Sequence, residues 1–171
     1  MERFKRRVWE ALGYAGCVAI LFAARSSLAD HNVVPTGSME PTLQVGDHIL
    51  VDKTMFGWRV PFTHRYLGGA ARLPARGDVV VFDSPRDGET LVKRVVGLPG
   101  ETVEVQDGEV RIDGRPLERH AIHDVGHAQA CEDLDGRRHR LGLVYGEGED
   151  QPPLRVPEGE LFVMGDNRGN S

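Results

Sequence analysis

The sequence predicts a mostly β protein, with an antiparallel β-sheet core and an inserted smaller β subdomain, preceded by one N-terminal transmembrane helix. Short runs rich in Val, Ile and Leu alternate with Gly, Pro and Asp-Gly dipeptides, as strands separated by tight turns do. The N-terminal segment differs, because residues 8–24 form a longer apolar stretch. At 171 residues the chain is long enough for one sizeable core and short for two independent domains.

The N-terminal stretch is predicted to anchor the protein in a membrane. Glu10 and Arg25 leave fourteen uncharged residues between them, about 21 Å of helix against about 30 Å of hydrocarbon. A helix over residues 8–28 closes this gap if both charged side chains reach the interfaces. Basic residues precede the stretch and favour a cytoplasmic segment over residues 1–7: Arg3, Lys5, Arg6 and Arg7.

A cleavable secretory signal is the alternative for this segment. Ser27 and Ala29 are small and stand three and one residues before a possible cut at Asp30.

The strands are predicted from their composition and the turns from their Asp-Gly pairs. Strand-like runs cover residues 48–51, 78–82, 91–96, 102–105 and 161–164. The dipeptides predicted to form tight hairpin turns are Asp107-Gly108, Asp113-Gly114 and Asp135-Gly136. Residues 146–153, GEGEDQPP, predict an exposed acidic loop.

The charge and the cysteines exclude some classes of protein. A net charge of −5 provides no basic surface for nucleic acid, so we expect no nucleic-acid partner. Cys17 lies in the apolar N-terminal stretch and Cys131 far downstream, so the two are not expected to form a disulfide.

Ser38 is the first candidate for catalysis. It lies among Pro and Gly residues that exclude a regular helix, so it is expected on a shaped loop. Most serines in such loops only satisfy turns, and a serine hydroxyl needs a base to become a nucleophile. None of the seven histidines has a recognisable triad context: His48 is expected in a strand, and the others in loops or at the surface.

Lys93 is the more promising base. It interrupts the apolar run 91–96, where alternation places Leu91 and Val95 on its own face. A lysine there either extends its charged end into solvent, which is the ordinary case, or loses its charge. Burial can lower a lysine pKa from about 10.4 to about 5 or 6, which makes the free amine the main species.

Five motifs in order resemble bacterial type I signal peptidase, also called leader peptidase. They are PTGSMEPTL (35–43), GDHILVDK (46–53), RGDVVVF (76–82), KRVVGLPGE (93–101) and MGDNRGNS (164–171). Together with the N-terminal stretch they cover nearly the whole chain. The resemblance implies a membrane-bound serine endopeptidase that removes signal peptides from exported preproteins after small-x-small sites such as Ala-x-Ala.

The resemblance also implies roles for individual residues. Ser38 would be the nucleophile and Lys93 the general base, with the oxyanion held by the Ser38 N–H and the Thr36 hydroxyl. Ser171 would orient the lysine amine. The residues expected to support the site are Asp166, Arg168 and Arg94, and those expected to line the substrate pockets are Val34, Met39, Leu43, Leu91 and Val92. These last five are equally compatible with a packed core.

The same resemblance predicts domains, location and partners. The catalytic domain would cover residues 29–171, with its core near 30–50, 71–100 and 161–171 and its β subdomain near 51–70 and 101–160. An uncleaved anchor would hold it on the outer face of the bacterial cytoplasmic membrane. Signal peptides and the lipid bilayer are the expected partners, no cofactor is expected, and the protein is expected to be a monomer.

One departure and two alternatives qualify this interpretation. Family members continue past Ser171 with an Asp-Ser-Arg segment and a final strand region, so we expect the catalytic domain to be C-terminally incomplete and impaired in activity. A Ser-Lys repressor that cuts its own chain would carry a DNA-binding domain where this chain has its apolar stretch. A homologue that binds signal peptides without cutting them is the other alternative.

A histidine-rich segment raises the question of a metal. His120, His123, His127 and Cys131 have a spacing that would roughly share one helix face. The Asp135-Gly136 turn that follows favours a hairpin, and Ser-Lys chemistry needs no metal, so no metal is predicted.

Overall fold

The computed structural model describes residues 2–55, 58–59, 66–67, 73–123 and 128–171. The chain divides into two compact units. The first comprises residues 1–32 and 49–72, and the second comprises residues 33–48 and 73–171. All of the predicted site residues belong to the second unit.

The first unit is built around one long helix. Helix α1 spans Glu2–Leu28 and is followed by strand β1, Ala29–Val33, which pairs with β2, His48–Asp52. Two short strands, β3 at Trp58–Arg59 and β4 at Tyr66–Leu67, form an antiparallel pair. An ion pair of 3.0 Å joins the amine of Lys53 to the carboxylate of Asp30.

The helix predicted for the membrane anchor is present. Its residues 8–28 are helical, since they lie inside α1. In the part of the chain that the structure describes, however, no helix is both long and apolar enough to cross a membrane.

The second unit contains ten strands and two short 3-10 turns among its described residues. The turns are Gly37–Met39 and Arg168–Asn170. The strands are β5 (Val79–Asp83), β6 (Thr90–Gly97), β7 (Thr102–Gln106), β8 (Glu109–Ile112), β9 (Arg115–Pro116), β10 (Arg119–His123), β11 (Ala128–Leu134), β12 (Arg137–Gly142), β13 (Gln151–Arg155) and β14 (Phe162–Met164).

These strands form three antiparallel sheets, in the orders β14-β6-β5, β13-β7-β8-β9 and β10-β11-β12. The mostly antiparallel β fold that the sequence predicted is therefore confirmed. The division of the catalytic domain into a core and an inserted subdomain stays a prediction. Strand β6 is central in its sheet: Lys93 lies opposite Val80 of β5, and Arg94 lies opposite Met164 of β14.

The three predicted Asp-Gly hairpin turns are confirmed. Each dipeptide joins two paired strands: β7 to β8, β8 to β9, and β11 to β12. In each, both residues have positive φ, from 50° to 54° for Asp and from 72° to 86° for Gly. This backbone matches the twist of the flanking strands, and only Gly, Asn and Asp adopt it readily.

The main core is formed by valine and leucine side chains from all three sheets and from the segment after β13. Its buried members are Val96, Val103, Val105, Val110, Leu134 and Val156. Gly97 is required at the edge of this cluster, because a Cβ there would lie 2.4 Å from the side chain of Val103.

The acidic loop predicted over residues 146–153 is wrong at its C-terminal end. Strand β13 begins at Gln151 and includes Pro152 and Pro153. Proline lacks the N–H that a central strand needs, but β13 is an edge strand with one partner, β7. The pairing shifts register between Gln151 and Leu154, where the two prolines lie.

Candidate active site

Ser38 lies on the 3-10 turn Gly37–Met39, inside the loop that the sequence predicted. The turn is anchored by Met39, whose side chain is only 1% exposed, while Ser38 is half-buried. The Thr36 hydroxyl is exposed and donates a long hydrogen bond of 3.5 Å to Ser38 Oγ. The peptide bond between Glu40 and Pro41, just after the turn, is cis.

The turn that carries Ser38 is held by the backbone and side chain of Asn167. The Asn167 N–H donates to the Ser38 carbonyl oxygen at 3.0 Å, and its side-chain amide donates to the Gly37 carbonyl oxygen at 3.1 Å. Two donors on one buried residue therefore fix two successive carbonyls of the turn. This fixes the backbone that presents the Ser38 hydroxyl.

Lys93 lies on β6 and is half-buried. Its Nζ donates to Oγ of Ser171 at 3.1 Å, and the Gly165 N–H donates to the same oxygen at 2.8 Å. Burial lowers the pKa of the Lys93 amine below its ordinary value, while the negative charge of Asp166 acts in the opposite direction. The amine is therefore both positioned and made easier to deprotonate.

Gly165 brings the two halves of the site together. A Cβ at this position would lie 2.4 Å from the Ser38 carbonyl oxygen and 2.4 Å from Ser171 Oγ. The 3-10 turn also packs against β6. In the described residues no hydrogen bond joins Ser38 to Lys93 directly, so Gly165 and Ser171 connect them.

Behind Lys93 lies a buried ion pair between Arg94 and Asp166. The guanidinium donates to both carboxylate oxygens, at 2.8 and 2.7 Å, and to the Gly77 carbonyl at 2.8 Å. The Thr42 hydroxyl donates to the same carboxylate at 2.5 Å. Asp166 is thereby fully engaged, and its backbone carbonyl also accepts from the Gly142 N–H at 2.9 Å.

A second buried ion pair supports the segment that ends at Ser171. Arg168 donates to Glu132 Oε2 at 2.5 Å and to the Gly165 carbonyl at 3.2 Å. Both ionised groups are almost completely enclosed. The charged residues expected near the site, Arg94, Asp166 and Arg168, are therefore all held in buried ion pairs.

The five candidate pocket residues differ in burial. Val34 and Met39 are enclosed in the core, whereas Leu43, Leu91 and Val92 are half-buried. Only these last three have surface that a bound peptide could cover. Leu91 and Val92 immediately precede Lys93 on β6.

The histidine-rich segment forms strands rather than a helix. His120 on β10 lies opposite Cys131 on β11, and His123 ends β10. His127 lies outside the described residues. Among those that are described, no group of three or more His, Cys, Asp or Glu side chains is arranged to hold a metal ion.

Some residues at the site had no role in the sequence-based prediction. Asn167 and Gly165 lie inside the MGDNRGNS motif, which could have indicated them. Glu132 and His139 belong to no motif. His139 was expected in a loop or at the surface, but it is buried on β12, because alternation along that strand turns it inward, opposite Glu132.

The fold and the site together define an antiparallel β protein in which a loop serine and a half-buried strand lysine are both connected to a Gly-Asp-Asn-Arg segment. Residues 6–171 match the family described as signal peptidase, peptidase S26. The chain belongs to this family.

Several named relatives are similar over most of this chain. It is 36% identical over 161 residues to signal peptidase I of Pseudomonas fluorescens, which covers 89% of this chain and 56% of the relative. It is 34% identical over 164 residues to probable signal peptidase I-1 of a Synechocystis strain, covering 90% and 66% respectively. The chain thus spans between half and two thirds of the length of these relatives.

A solved structure is also similar. The crystal structure of a signal peptidase I from Enterococcus faecalis V583 is 34% identical in sequence, with a TM-score of 0.36. The match covers 58% of this chain and 82% of that chain.

Proposed function

We propose that this protein is a serine endopeptidase that removes N-terminal signal peptides from exported preproteins, with Ser38 as nucleophile and Lys93 as general base. The observation that carries the proposal is the position of the Lys93 amine. It is half-buried, hydrogen-bonded to Ser171, and connected through Gly165 to the turn that presents Ser38. Family membership supports the same reaction class.

A neutral lysine is the requirement of this mechanism. At an ordinary pKa of about 10.4, fewer than about one lysine in a thousand is uncharged at pH 7. Desolvation acts in the needed direction on the pKa of Lys93. The negative charge of Asp166 opposes this shift, and the same carboxylate forms a bidentate ion pair with Arg94. A bound peptide that covers the site would exclude more water and lower the pKa further.

The reaction would be an acyl transfer in two halves. Ser38 Oγ attacks the carbonyl carbon of the scissile peptide bond while Lys93 Nζ takes the hydroxyl proton. Lys93 then gives this proton to the leaving amine, the C–N bond breaks, and the signal peptide stays as an ester on Ser38. In the second half Lys93 takes a proton from a water, whose oxygen attacks the ester, and the proton returns to Ser38.

Thr36 and the Ser38 backbone N–H would hold the oxyanion of each tetrahedral intermediate. The Thr36 hydroxyl is near enough to Ser38 Oγ to reach an atom bonded to it. Its present bond is long, and catalytic hydrogen bonds often shorten when substrate binds. Losing one such donor typically costs about 3 to 4 kcal/mol of transition-state stabilisation.

Substrate selection would depend on an extended peptide beside β6. Leu43, Leu91 and Val92 would contact its side chains, with Val34 and Met39 packed behind them as the pocket walls. An extended peptide presents alternate side chains to one face, so residues one and three before the cut would point the same way. Shallow apolar pockets there would admit Ala and exclude larger residues.

The location that goes with this function is the outer face of the bacterial cytoplasmic membrane, and the lipid bilayer is a proposed partner. The support for lipid contact is a set of exposed apolar side chains on α1, behind its basic N-terminal end: Trp9, Leu12, Tyr14, Val18, Leu21 and Phe22. Amphipathic and apolar helices partition into lipid interfaces. Flotation of the protein with anionic and neutral lipid vesicles, compared with a chain that starts at residue 29, would measure this contact.

The function is tested by incubating the protein with an exported preprotein that carries an Ala-x-Ala site. Mass spectrometry of the products locates the cut. We expect one cut directly after the second Ala, no cut with Ser38→Ala, and no cut when that Ala is replaced by Phe. Binding without cleavage by the wild type would favour a signal-peptide-binding protein, and cleavage by Ser38→Ala would exclude this serine as nucleophile.

A further inference from the structure

His139 lies between the two buried ion pairs behind the candidate active site. Its Nε2 is 3.6 Å from Glu132 Oε2, which is paired with Arg168, and 3.8 Å from Asp166 Oδ1, which is paired with Arg94. The His139 side chain is 5% exposed, and within the described residues neither ring nitrogen has a hydrogen-bond partner.

A buried histidine with both nitrogens unpaired is unusual, because buried polar atoms are nearly always hydrogen-bonded. The distances to the two carboxylates are too long for hydrogen bonds, but short enough for attraction once the ring carries a proton. The ring therefore stands where a proton would create two new ion pairs.

The balance of charge explains why the ring is neutral at neutral pH. Four charged side chains surround it, two positive and two negative, and they cancel one another: Arg94, Arg168, Asp166 and Glu132. A proton on His139 would leave one uncompensated positive charge inside the protein, which is unfavourable. Burial lowers the pKa of His139 below 6.5, with Arg94 and Arg168 acting in the same direction and the two carboxylates against it.

Protons can nevertheless reach the ring. A surface depression of about 280 Å³ is lined by Pro41, Thr42, Arg94, Arg138, His139 and Arg140. Arg138 and Arg140, the neighbours of His139 on β12, are exposed. Solvent in this depression therefore lies next to the His139 ring.

We propose that His139 is a positioning residue for the Lys93 site, competent when neutral and disruptive when protonated. A charged imidazolium would draw the Asp166 and Glu132 carboxylates toward itself, in competition with Arg94 and Arg168. Asp166 is next to Gly165, whose N–H holds Ser171 Oγ, and Arg168 donates to the Gly165 carbonyl. A shift of either carboxylate would therefore move the segment that orients Lys93.

This inference rests on the proposed function. It predicts that two protonations, rather than one, reduce kcat/KM on the acid side of the pH profile. Activity falls at acid pH when Lys93 is protonated, which gives a slope of 1 in a plot of log kcat/KM against pH. Protonation of His139 as well steepens that slope toward 2 in the pH range where both groups take up their protons. The two slopes differ only in the pH range where His139 becomes protonated.

The test is the pH profile of kcat/KM for an Ala-x-Ala peptide, from pH 4.5 to 9, for the whole chain and two variants. His139→Gln keeps an N–H donor but cannot gain a charge. His120→Gln is the matched control, because His120 is exposed on β10 of the same sheet. We expect the wild type and the control to approach a slope of 2, and His139→Gln to stay at 1. One pH unit below the divergence, His139→Gln then retains about tenfold more of its plateau activity.

Three profiles of one shape, or a loss by His139→Gln that is equal at every pH, would overturn the proposal. If His139→Gln does not fold, NMR titration of the wild type decides. The Gly165 amide resonance is expected to shift with the same midpoint as the His139 ring, and an amide that ignores this titration contradicts the role. The NMR result does not require cleavage, so it separates failure of this inference from failure of the proposed function.

Discussion

The amine of Lys93 donates a hydrogen bond of 3.1 Å to the hydroxyl of Ser171, the residue that resemblance had assigned to orient it. The same hydroxyl oxygen accepts from the Gly165 N–H at 2.8 Å. A lysine with several rotatable bonds is thus fixed at its reactive end by one contact from a distant part of the chain. The proposed mechanism depends on this contact.

Replacing Lys93 by Met should abolish cleavage and raise stability at neutral pH. The folded state lowers the pKa of Lys93 from 10.5, so the unfolded chain binds the proton more tightly. The resulting loss of stability is fully present below the folded pKa and disappears as pH rises through 10.5. Urea unfolding should give Lys93→Met a larger free energy of unfolding than the wild type at pH 7, and no such difference at pH 11.

Lys5→Met is the control for this prediction, because Lys5 is an exposed lysine of α1. A stabilisation by Lys93→Met that is the same at both pH values would contradict the predicted pH dependence.

Gly165→Ala should reduce kcat/KM by at least about 100-fold. The added Cβ would lie 2.4 Å from both the Ser38 carbonyl oxygen and Ser171 Oγ, so one of these atoms must move. Displacements of about 1 Å near reacting groups can cost about 100-fold. Gly13→Ala on α1, where nothing lies within 4 Å, is the matched control and should leave kcat/KM unchanged. Full activity of Gly165→Ala would show that the contact does not position the site.

Asn167→Ala should lower kcat more than it raises KM. The Gly37 carbonyl loses the side-chain amide donor at 3.1 Å and keeps the Glu40 N–H donor at 3.1 Å, while the backbone bond to Ser38 remains possible. A typical hydrogen bond contributes about 0.5 to 1.5 kcal/mol, and its loss at the transition state corresponds to about 2- to 10-fold in rate. A change confined to KM in steady-state kinetics would assign Asn167 to substrate binding instead.

Asp166→Asn should destabilise the protein by about 3 to 5 kcal/mol, because it leaves the buried charge of Arg94 without its partner. Glu10→Gln breaks an exposed ion pair with Arg6 at i,i+4 spacing and should cost no more than about 0.5 kcal/mol. Chemical denaturation of both variants at pH 7 makes the comparison. Equal losses in the two variants would mean that burial does not strengthen the Arg94–Asp166 pair.

Much of the fold could be predicted because local patterns determine it. The three Asp-Gly turns need a backbone that few residues adopt, and the Val-rich runs have the composition typical of strands. The edge strand β13 was missed because Pro152 and Pro153 usually end strands, and only its place at the sheet edge makes them acceptable. Position in a sheet is a property of the folded chain.

The candidate site divides in the same way. Ser38, Lys93 and Ser171 were indicated by motifs, and the structure places them around Gly165; their catalytic roles stay predictions. Glu132 and His139 could not be found from sequence, because their significance comes from pairing across β11 and β12. Charged residues are common on the exposed faces of strands. Only the folded structure shows that the face carrying Glu132 and His139 is buried.

A double-mutant cycle on Ser38 and Lys93 tests the central claim most directly. Cleavage of an Ala-x-Ala preprotein is measured for the wild type, Ser38→Ala, Lys93→Met and the double variant. If the two side chains act as one unit, each single variant and the double variant fall to the same residual rate. Losses that multiply in the double variant, or substantial cleavage by Lys93→Met, would contradict the proposal that this amine activates this hydroxyl.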